Sequence, residues 1–138
     1  MRKELLKSNR TIENNMTNEE KELLLKDLCA RLPYGVKASS QTSHLEINTI
    51  DGYFVDGDGS KMFHLSEPDF WQTVDCFQYY LRPMSSMTDK EKDKYDRLVM
   101  CNASWVVNDW LNSHHLDYRG FIPKGLALEA TEGMYKNI

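Results

Sequence analysis

The chain has 138 residues, a net charge of −4 and aromatic side chains at 11% of its positions. Its length is that of one ordinary domain, because domains cluster near about 100 to 150 residues. A pI near 5.5 and the lack of any Lys/Arg cluster disfavour direct binding to DNA or RNA, which requires a basic surface.

The cysteines and the N-terminal sequence indicate the cellular compartment in which the protein is expected. Cys29, Cys76 and Cys101 are odd in number and far apart, which argues against a disulfide scaffold or a zinc site. No apolar run is long enough for a signal peptide or a membrane span. No phosphate loop or dinucleotide fingerprint occurs either. We therefore expect a cytoplasmic protein that binds no membrane and no cofactor.

The first predicted element is a helix that follows a polar lead-in. Residues 1–15 are polar and Asn-rich, which predicts a flexible extension, and residues 16–138 are expected to form a single α+β domain. Thr17 and Glu20 form a capping box that begins a helix ending near Arg31. Its predicted apolar stripe is Leu24, Leu25, Leu28, Cys29 and Leu32.

The middle of the chain changes to a shorter period. Residues 36–40, 44–50, 53–55 and 61–65 are short and partly alternating, which predicts a meander of about three antiparallel strands. Aromatic residues spaced as in a helix follow over residues 66–81 and end before Pro83, so this segment is predicted to be a short helix.

A second capping box, Thr88 to Glu91, predicts a longer helix that ends near Ser113. It carries two apolar stripes, so its rear half is covered on two sides or offers one side to a partner. The predicted fold is therefore α+β: a short antiparallel sheet of about three strands, two main amphipathic helices and an aromatic-rich short helix.

The negative charge is concentrated in one part of the sequence. Residues 32–81 carry 2 basic and 7 acidic side chains, whereas the flanking segments are close to neutral. Charge complementarity would direct such a region to a basic protein surface, although a solvated face is the alternative interpretation. The candidate partner-binding residues are Asp51, Asp56, Asp58, Glu67 and Asp69.

Two further patterns suggest metal chemistry. Asp56, Asp58, Ser60 and Glu67 partly match a calcium-binding loop, but Lys61 stands where the loop needs Gly, so a β-turn is the preferred interpretation.

His114, His115 and Asp117, with Asp109 and Cys101 nearby, resemble a metal or acid/base site. Adjacent histidines on a helix point about 100 degrees apart, so helix capping is favoured over a site.

The aromatic residues between Phe70 and Tyr80 could stack on bases or on a sugar, or form part of the core. Core packing is the preferred interpretation, because no Lys or Arg lies between these rings before Arg82.

Three stretches carry a resemblance: MTNEEKELLLKDLCARLPYGVK at residues 16–37, YLRPMSSMT at 80–88 and WLNSHHLDYRGFIPKGLALEA at 110–130. They resemble a family of small proteins of gut-bacterial genomes, prophages and mobile elements to which no activity is assigned. The resemblance transfers no catalytic residue. It implies that Met16 is the usual start and that the role is accessory, such as blocking a host protein like a CRISPR-type defence nuclease.

Two functions follow from these patterns. The first and preferred one is a non-catalytic interaction module whose acidic sheet region, or whose two-striped helix, binds another protein. The second is a small metal-dependent hydrolase that uses His114, His115 and Asp117. The oligomeric state stays open.

Overall fold

In a computed structural model of the protein, the described residues are 16–40, 47–66, 70–101 and 103–135. The predicted extension at residues 1–15 lies outside them. The chain divides into two compact units, the first ending at Tyr79 and the second beginning at Tyr80. Two compact units can belong to one domain, so the single domain at 16–138 stays a prediction.

Helix α1 spans Asn18–Arg31 and begins at the predicted capping box. The Thr17 hydroxyl accepts from the Glu20 amide and the Glu20 carboxylate accepts from the Thr17 amide, each at 3.0 Å. The predicted stripe is rotated by one position, however, because the fully covered residues are Leu24, Asp27, Leu28 and Arg31.

Two charged residues on this face are buried because they bind each other. Asp27 Oδ2 accepts hydrogen bonds from Arg31 Nε at 2.8 Å and from the Tyr79 hydroxyl at 2.6 Å. Both charged side chains are 0% exposed. A charged side chain is buried at low cost only when such partners satisfy it. The face of α1 that packs into the core is therefore the one on which Asp27 and Arg31 bind each other.

Among the described residues the sheet has six strands, so the prediction of about three is wrong, although the α+β class is confirmed. The strands are β1 (Lys37–Ser40), β2 (Asn48–Val55), β3 (Lys61–Leu65), β4 (Phe70–Thr73), β5 (Phe77–Leu81) and β6 (Leu128–Glu129). Their order is β4-β3-β2-β1-β5-β6. All neighbours are antiparallel except β5 and β6, which are parallel.

The predicted aromatic helix at residues 66–81 is also wrong, because its described part forms β4, a 3-10 turn at Val74–Cys76 and β5. Phe77, Tyr79 and Leu81 alternate as the buried face of β5. The three residues of the turn shift the phase between the two strands. Apolar residues alternate in each strand, but the alternation in β5 is offset from that in β4. Together the two strands therefore give a spacing that resembles the spacing of a helix.

The second predicted helix is two helices, α2 (Asp89–Met100) and α3 (Ser104–Ser113). The capping box of Thr88 and Glu91 is confirmed. Cys101 ends α2, and Ala103, with φ −111° and ψ 88°, precedes α3 outside the helical region. None of the helices in the described part of the chain combines the length and apolar character that crossing a bilayer requires.

The buried pair on α1 gives the first prediction. Asp27→Ala leaves Arg31 as a buried charge without this carboxylate and should lower the free energy of unfolding by about 3 to 5 kcal/mol. Urea unfolding followed by circular dichroism measures the change.

Helix α2 provides the matched control, because Asp93 and Arg97 form the same i, i+4 ion pair with side chains 67% and 70% exposed. Asp93→Ala should change stability by no more than about 0.5 kcal/mol. Equal losses of unfolding free energy in Asp27→Ala and Asp93→Ala would contradict the claim that burial makes the Asp27–Arg31 pair necessary for stability.

Candidate functional site

The outer side of strands β2 to β4 carries a cluster of apolar and aromatic side chains. In the register of these strands, Phe54 lies opposite Met62 and His64 lies opposite Trp71. The alternating residues Phe63 and Leu65 are 0% exposed on the other side. We call the solvent side the outer aromatic face and define it by Gly52, Phe54, Met62, His64 and Trp71.

Aromatic contacts hold the outer aromatic face in one arrangement. The Trp71 ring lies 5.8 Å from the Phe54 ring, edge to face, and 4.9 Å from the imidazole of His64. A Cβ on Gly52 would approach His64 Cβ to 3.1 Å and Trp71 Cη2 to 3.4 Å. The missing side chain of Gly52 thus provides the space in which these two rings meet on the sheet.

The cluster is nevertheless open to solvent, since Phe54 is 54% exposed and Trp71 is 44% exposed. Contiguous exposed aromatic surface is uncommon in a monomer and marks sites where another molecule binds. The arrangement offers apolar contact area at low entropic cost, because the rings already constrain one another.

One carboxylate contacts the outer aromatic face, and two more lie in the turn that joins β2 to β3. Asp51 Oδ1 pairs with His64 Nδ1 at 2.5 Å. Asp56 Oδ1 accepts from the amides of Asp58 and Ser60 at 2.9 Å each, and this closes the turn between β2 and β3. We call Asp51, Asp56 and Asp58 the acidic rim. Of the predicted partner-binding residues, Asp51 contacts His64 of the cluster, and Asp56 and Asp58 lie in the turn between β2 and β3. Glu67 and Asp69 lie outside the described residues.

The suggested calcium loop is the turn of a β-hairpin. Residues 56–60 join β2 to β3, and the Asp56 carboxylate binds backbone amides of the turn itself. This is the β-turn that was preferred over calcium. Within the described parts of the chain, no group of three or more His, Cys, Asp or Glu is placed to hold a metal.

The histidine cluster is distributed over separate structural contacts. His114 stacks on Trp110 at 4.2 Å and places Nδ1 3.0 Å from the Trp110 carbonyl oxygen, the contact expected of a helix cap. His115 is buried with a φ of 61° and stacks on Tyr135 at 3.7 Å. The structure does not bring these two imidazoles together on a shared ligand position.

Asp117 also binds backbone. Its carboxylate accepts from the amides of Phe121 at 2.8 Å and Ile122 at 2.9 Å, which closes the turn that follows. Asp109 and Cys101, the other members of the predicted cluster, face solvent. A catalytic arrangement of these residues has no support in the geometry.

A cleft of about 540 Å³ in the second unit is lined by Arg82, Glu91 and Tyr135 among others. The Arg82 guanidinium donates to both Glu91 oxygens, at 2.7 and 3.0 Å, and to the carbonyls of Ser86 and His114. The hydrogen bonds that the Glu91 carboxylate accepts from Arg82 lower the pKa of Glu91 from 4.5 to about 2. The pair stabilises the start of α2. The polar atoms of Arg82 and Glu91 thus form hydrogen bonds within the fold.

Comparison of the chain with protein-family models, with curated proteins and with solved structures found no match. The resemblance to small proteins of mobile elements therefore stays a prediction.

Sequence reasoning missed Phe54 and Met62 and considered Trp71 only as part of an aromatic run. Alternation in β3 and β4 was the available signal, because Met62 and His64 share one side of β3 and Trp71 and Thr73 share one side of β4. Placing Phe54 with them required the register shift between Ile50 and Gly52, which the pattern does not reveal.

The Arg82–Glu91 pair predicts an acid-dependent loss of stability. The folded-state pKa of Glu91 is lowered, so the pair stabilises the fold fully above about pH 4.5 and progressively less as the pH falls toward 2. The contribution lost over this window should be about 2 to 3 kcal/mol.

Glu91→Gln tests this pair, because Gln retains a capping box but not the charge. In urea unfolding at a series of pH values, the stability difference from the parent should be largest near pH 7 and approach zero near pH 2. A difference that is independent of pH over this range would contradict the assignment.

Proposed function

We propose that the protein is a non-catalytic binding module and that the outer aromatic face is where it contacts another protein. The observation that carries this proposal is the solvent exposure of Phe54 and Trp71, which pack against each other on an otherwise well-paired sheet. Residues of this kind supply much of the energy of protein interfaces when a partner covers them.

The acidic rim defines the chemistry of the partner. Asp51 pairs with His64 of the apolar cluster, and Asp56 and Asp58 add two carboxylates in the turn between β2 and β3. A partner that places basic side chains around an apolar centre would satisfy both parts of the surface. The partner is thus a protein with a basic, partly apolar patch.

Nucleic acid fits the surface less well. Exposed rings can stack on bases, but single-strand binding also needs cations that follow the phosphates. Lys61 is the one Lys or Arg in the sequences of β2 to β4, and three carboxylates of the acidic rim lie near it along the chain. Phosphates would be repelled, so a protein partner is favoured.

The cellular role is the finer part of the proposal. In the cytoplasm of a host that carries a mobile element, such a module would bind and inhibit a host protein such as a defence nuclease. This part rests on the sequence resemblance. The metal-dependent hydrolase is not proposed further, because His114 and Asp117 each bind backbone groups of their own unit.

The proposal predicts that Phe54→Ser/Trp71→Ser abolishes capture of the partner. Affinity capture from a bacterial lysate, followed by reconstitution of the purified pair, should give a complex whose dissociation constant rises at least about a hundredfold in the double variant, because two central aromatic residues are lost. Both side chains are exposed, so the fold should persist.

Two controls make the test specific. Asp58→Asn should slow association and weaken its dependence on salt, since a rim charge acts mainly on the association rate. Met100→Glu, on the other unit, should leave affinity unchanged. Capture that survives in Phe54→Ser/Trp71→Ser would exclude the outer aromatic face as the binding surface.

A further inference from the structure

Strand β4 stands at one end of the sheet, so among the described residues only β3 pairs with it. The hydrogen bonds of β3 show how the backbone of the two strands is turned. The Ser60 carbonyl, just before β3, accepts from the amide of Asp56 at 3.0 Å. The Ser66 amide, just after β3, donates to the Thr49 carbonyl of β2 at 3.0 Å. The backbone therefore faces β2 at both ends of β3.

These two bonds determine the direction of the backbone groups between them. In an antiparallel ladder, successive residues of a strand bond alternately to the neighbour on one side and to the neighbour on the other side. Ser60 and Ser66 are an even number of residues apart and both face β2. The residues at odd positions between them, Phe63 and Leu65 among them, therefore face β4.

The same alternation continues in β4. Phe70 and Gln72 lie opposite Leu65 and Phe63, so their backbone groups bond to β3. Trp71 and Thr73 alternate with them and direct their N–H groups away from β3. No group in the described part of the chain accepts a hydrogen bond from either N–H. We call this side of β4, with the N–H groups of Trp71 and Thr73, the open edge.

The open edge is continuous with the outer aromatic face, because Trp71 belongs to both. Its ring is 44% exposed on the solvent side of the sheet. A strand added at the open edge would place a side chain about 5 Å from that of Trp71. An extended backbone also presents carbonyl groups at the spacing of the open N–H groups, whereas the carbonyls of a helix bond within the helix. The open edge therefore fits an extended chain.

The charge of this region indicates which extended chain. Residues 66–81 contain three acidic residues and no Lys or Arg. One of them, Asp75, pairs with Lys21 at 3.2 Å. On β2, Asp51 adds a carboxylate that contacts His64. A basic segment is attracted to such a region, whereas a second copy of the acidic edge is repelled.

We propose that the partner binds by strand addition, and that an extended basic segment of the partner occupies the open edge. This inference rests on the proposed function and specifies how the partner is bound. The N–H groups of Trp71 and Thr73 donate to carbonyl groups of the segment. An apolar side chain of the segment covers the ring of Trp71, and the neighbouring face with Phe54 extends the contact.

Hydrogen exchange of the free full chain, followed by NMR, tests whether the edge is open. The amides of Trp71 and Thr73 should exchange at least about tenfold faster than the amide of Gln72, because only Gln72 donates to β3. Amides of Trp71 and Thr73 that are as protected as that of Gln72 would mean that the chain covers its own edge, and would overturn the proposal.

Thr73→Pro removes one N–H of the open edge and leaves the bonds to β3 in place. Thr73 has a φ of −76°, which a proline ring adopts, and proline is tolerated in an edge strand where its nitrogen faces outward. Thr73→Ala is the matched control. Both variants lose the hydroxyl that bonds Asp75, and only Thr73→Pro loses the N–H.

The probe is an acetylated peptide of about six residues in which lysine and valine alternate, the common length of a strand. Titrated into the full chain, it should shift the amide signal of Trp71 saturably. Thr73→Pro should raise its dissociation constant at least about tenfold relative to Thr73→Ala, because a carbonyl of the peptide loses its donor. A peptide with glutamate in place of lysine should bind more weakly than the lysine peptide.

Three results would overturn strand addition by a basic segment. They are the absence of saturable binding, equal affinities of Thr73→Pro and Thr73→Ala for the lysine peptide, and tighter binding of the glutamate peptide. Sedimentation equilibrium adds a fourth. A dimer of the free chain that Thr73→Pro abolishes would make a second copy the occupant.

The capture experiment separates this inference from the proposed function. Loss of the partner in Phe54→Ser/Trp71→Ser and in Thr73→Pro, but not in Thr73→Ala, supports both. Loss in Phe54→Ser/Trp71→Ser with full affinity in Thr73→Pro would retain the outer aromatic face and overturn strand addition. Capture that survives in Phe54→Ser/Trp71→Ser would instead overturn the proposed function.

Discussion

The first unit depends on a charge pair that has been taken out of water. Asp27 and Arg31 on α1 are fully buried, and the hydroxyl of Tyr79 on β5 completes the coordination of the carboxylate. Such a pair contributes little net stability, but it penalises every arrangement that leaves one member alone. A shift of β5 by one residue would turn Tyr79 to the other side of the strand and remove that hydroxyl.

This constraint extends along the strands of the unit. Tyr79 lies opposite Ala38 of β1, and the preceding residue of β1, Lys37, lies opposite Thr49 of β2. Fixing β5 therefore fixes β1 and then β2. The register of β2 with β3 and β4 in turn decides that Phe54 and Trp71 emerge on the same side. A buried polar contact thus determines which side chains the protein presents to solvent.

The two units present surfaces of different electrostatic character. In the first unit, exposed aromatic rings lie beside the carboxylate of Asp51, a combination that fits the protein partner proposed above. In the second unit, helix α2 carries 4 acidic and 4 basic side chains, so its charges cancel.

Local features were predictable from the sequence, and features that depend on distant residues were not. Both capping boxes and the strand Lys61–Leu65 were foreseen, because each is specified by neighbouring residues. Strand β6 was not, since its two residues pair with β5 from a distant part of the chain. The predicted buried face of α1 is wrong by one position, because a sequence pattern assigns charged residues such as Asp27 and Arg31 to the solvent side. Their burial depends on the hydroxyl of Tyr79, which is distant in the sequence.

The same reasoning applies to the break in the last helix and to the site. No Pro or Gly marks the end of α2 at Met100, so the periodicity continued through it. The density of charge in the sequence points to Asp51, Asp56 and Asp58, of which Asp51 contacts the cluster through His64. The cluster itself depends on strand register, which composition does not encode.

Asp51 of the acidic rim also has a consequence for the free protein. Strand β4 is short and stands at the edge of the sheet, with Trp71 exposed on it. An edge strand beside an apolar face is a site of unwanted association, and charged side chains nearby are the usual protection. Asp51 pairs with His64, which lies opposite Trp71, so a charged side chain stands beside this exposed ring and disfavours association of two copies through the edge strand.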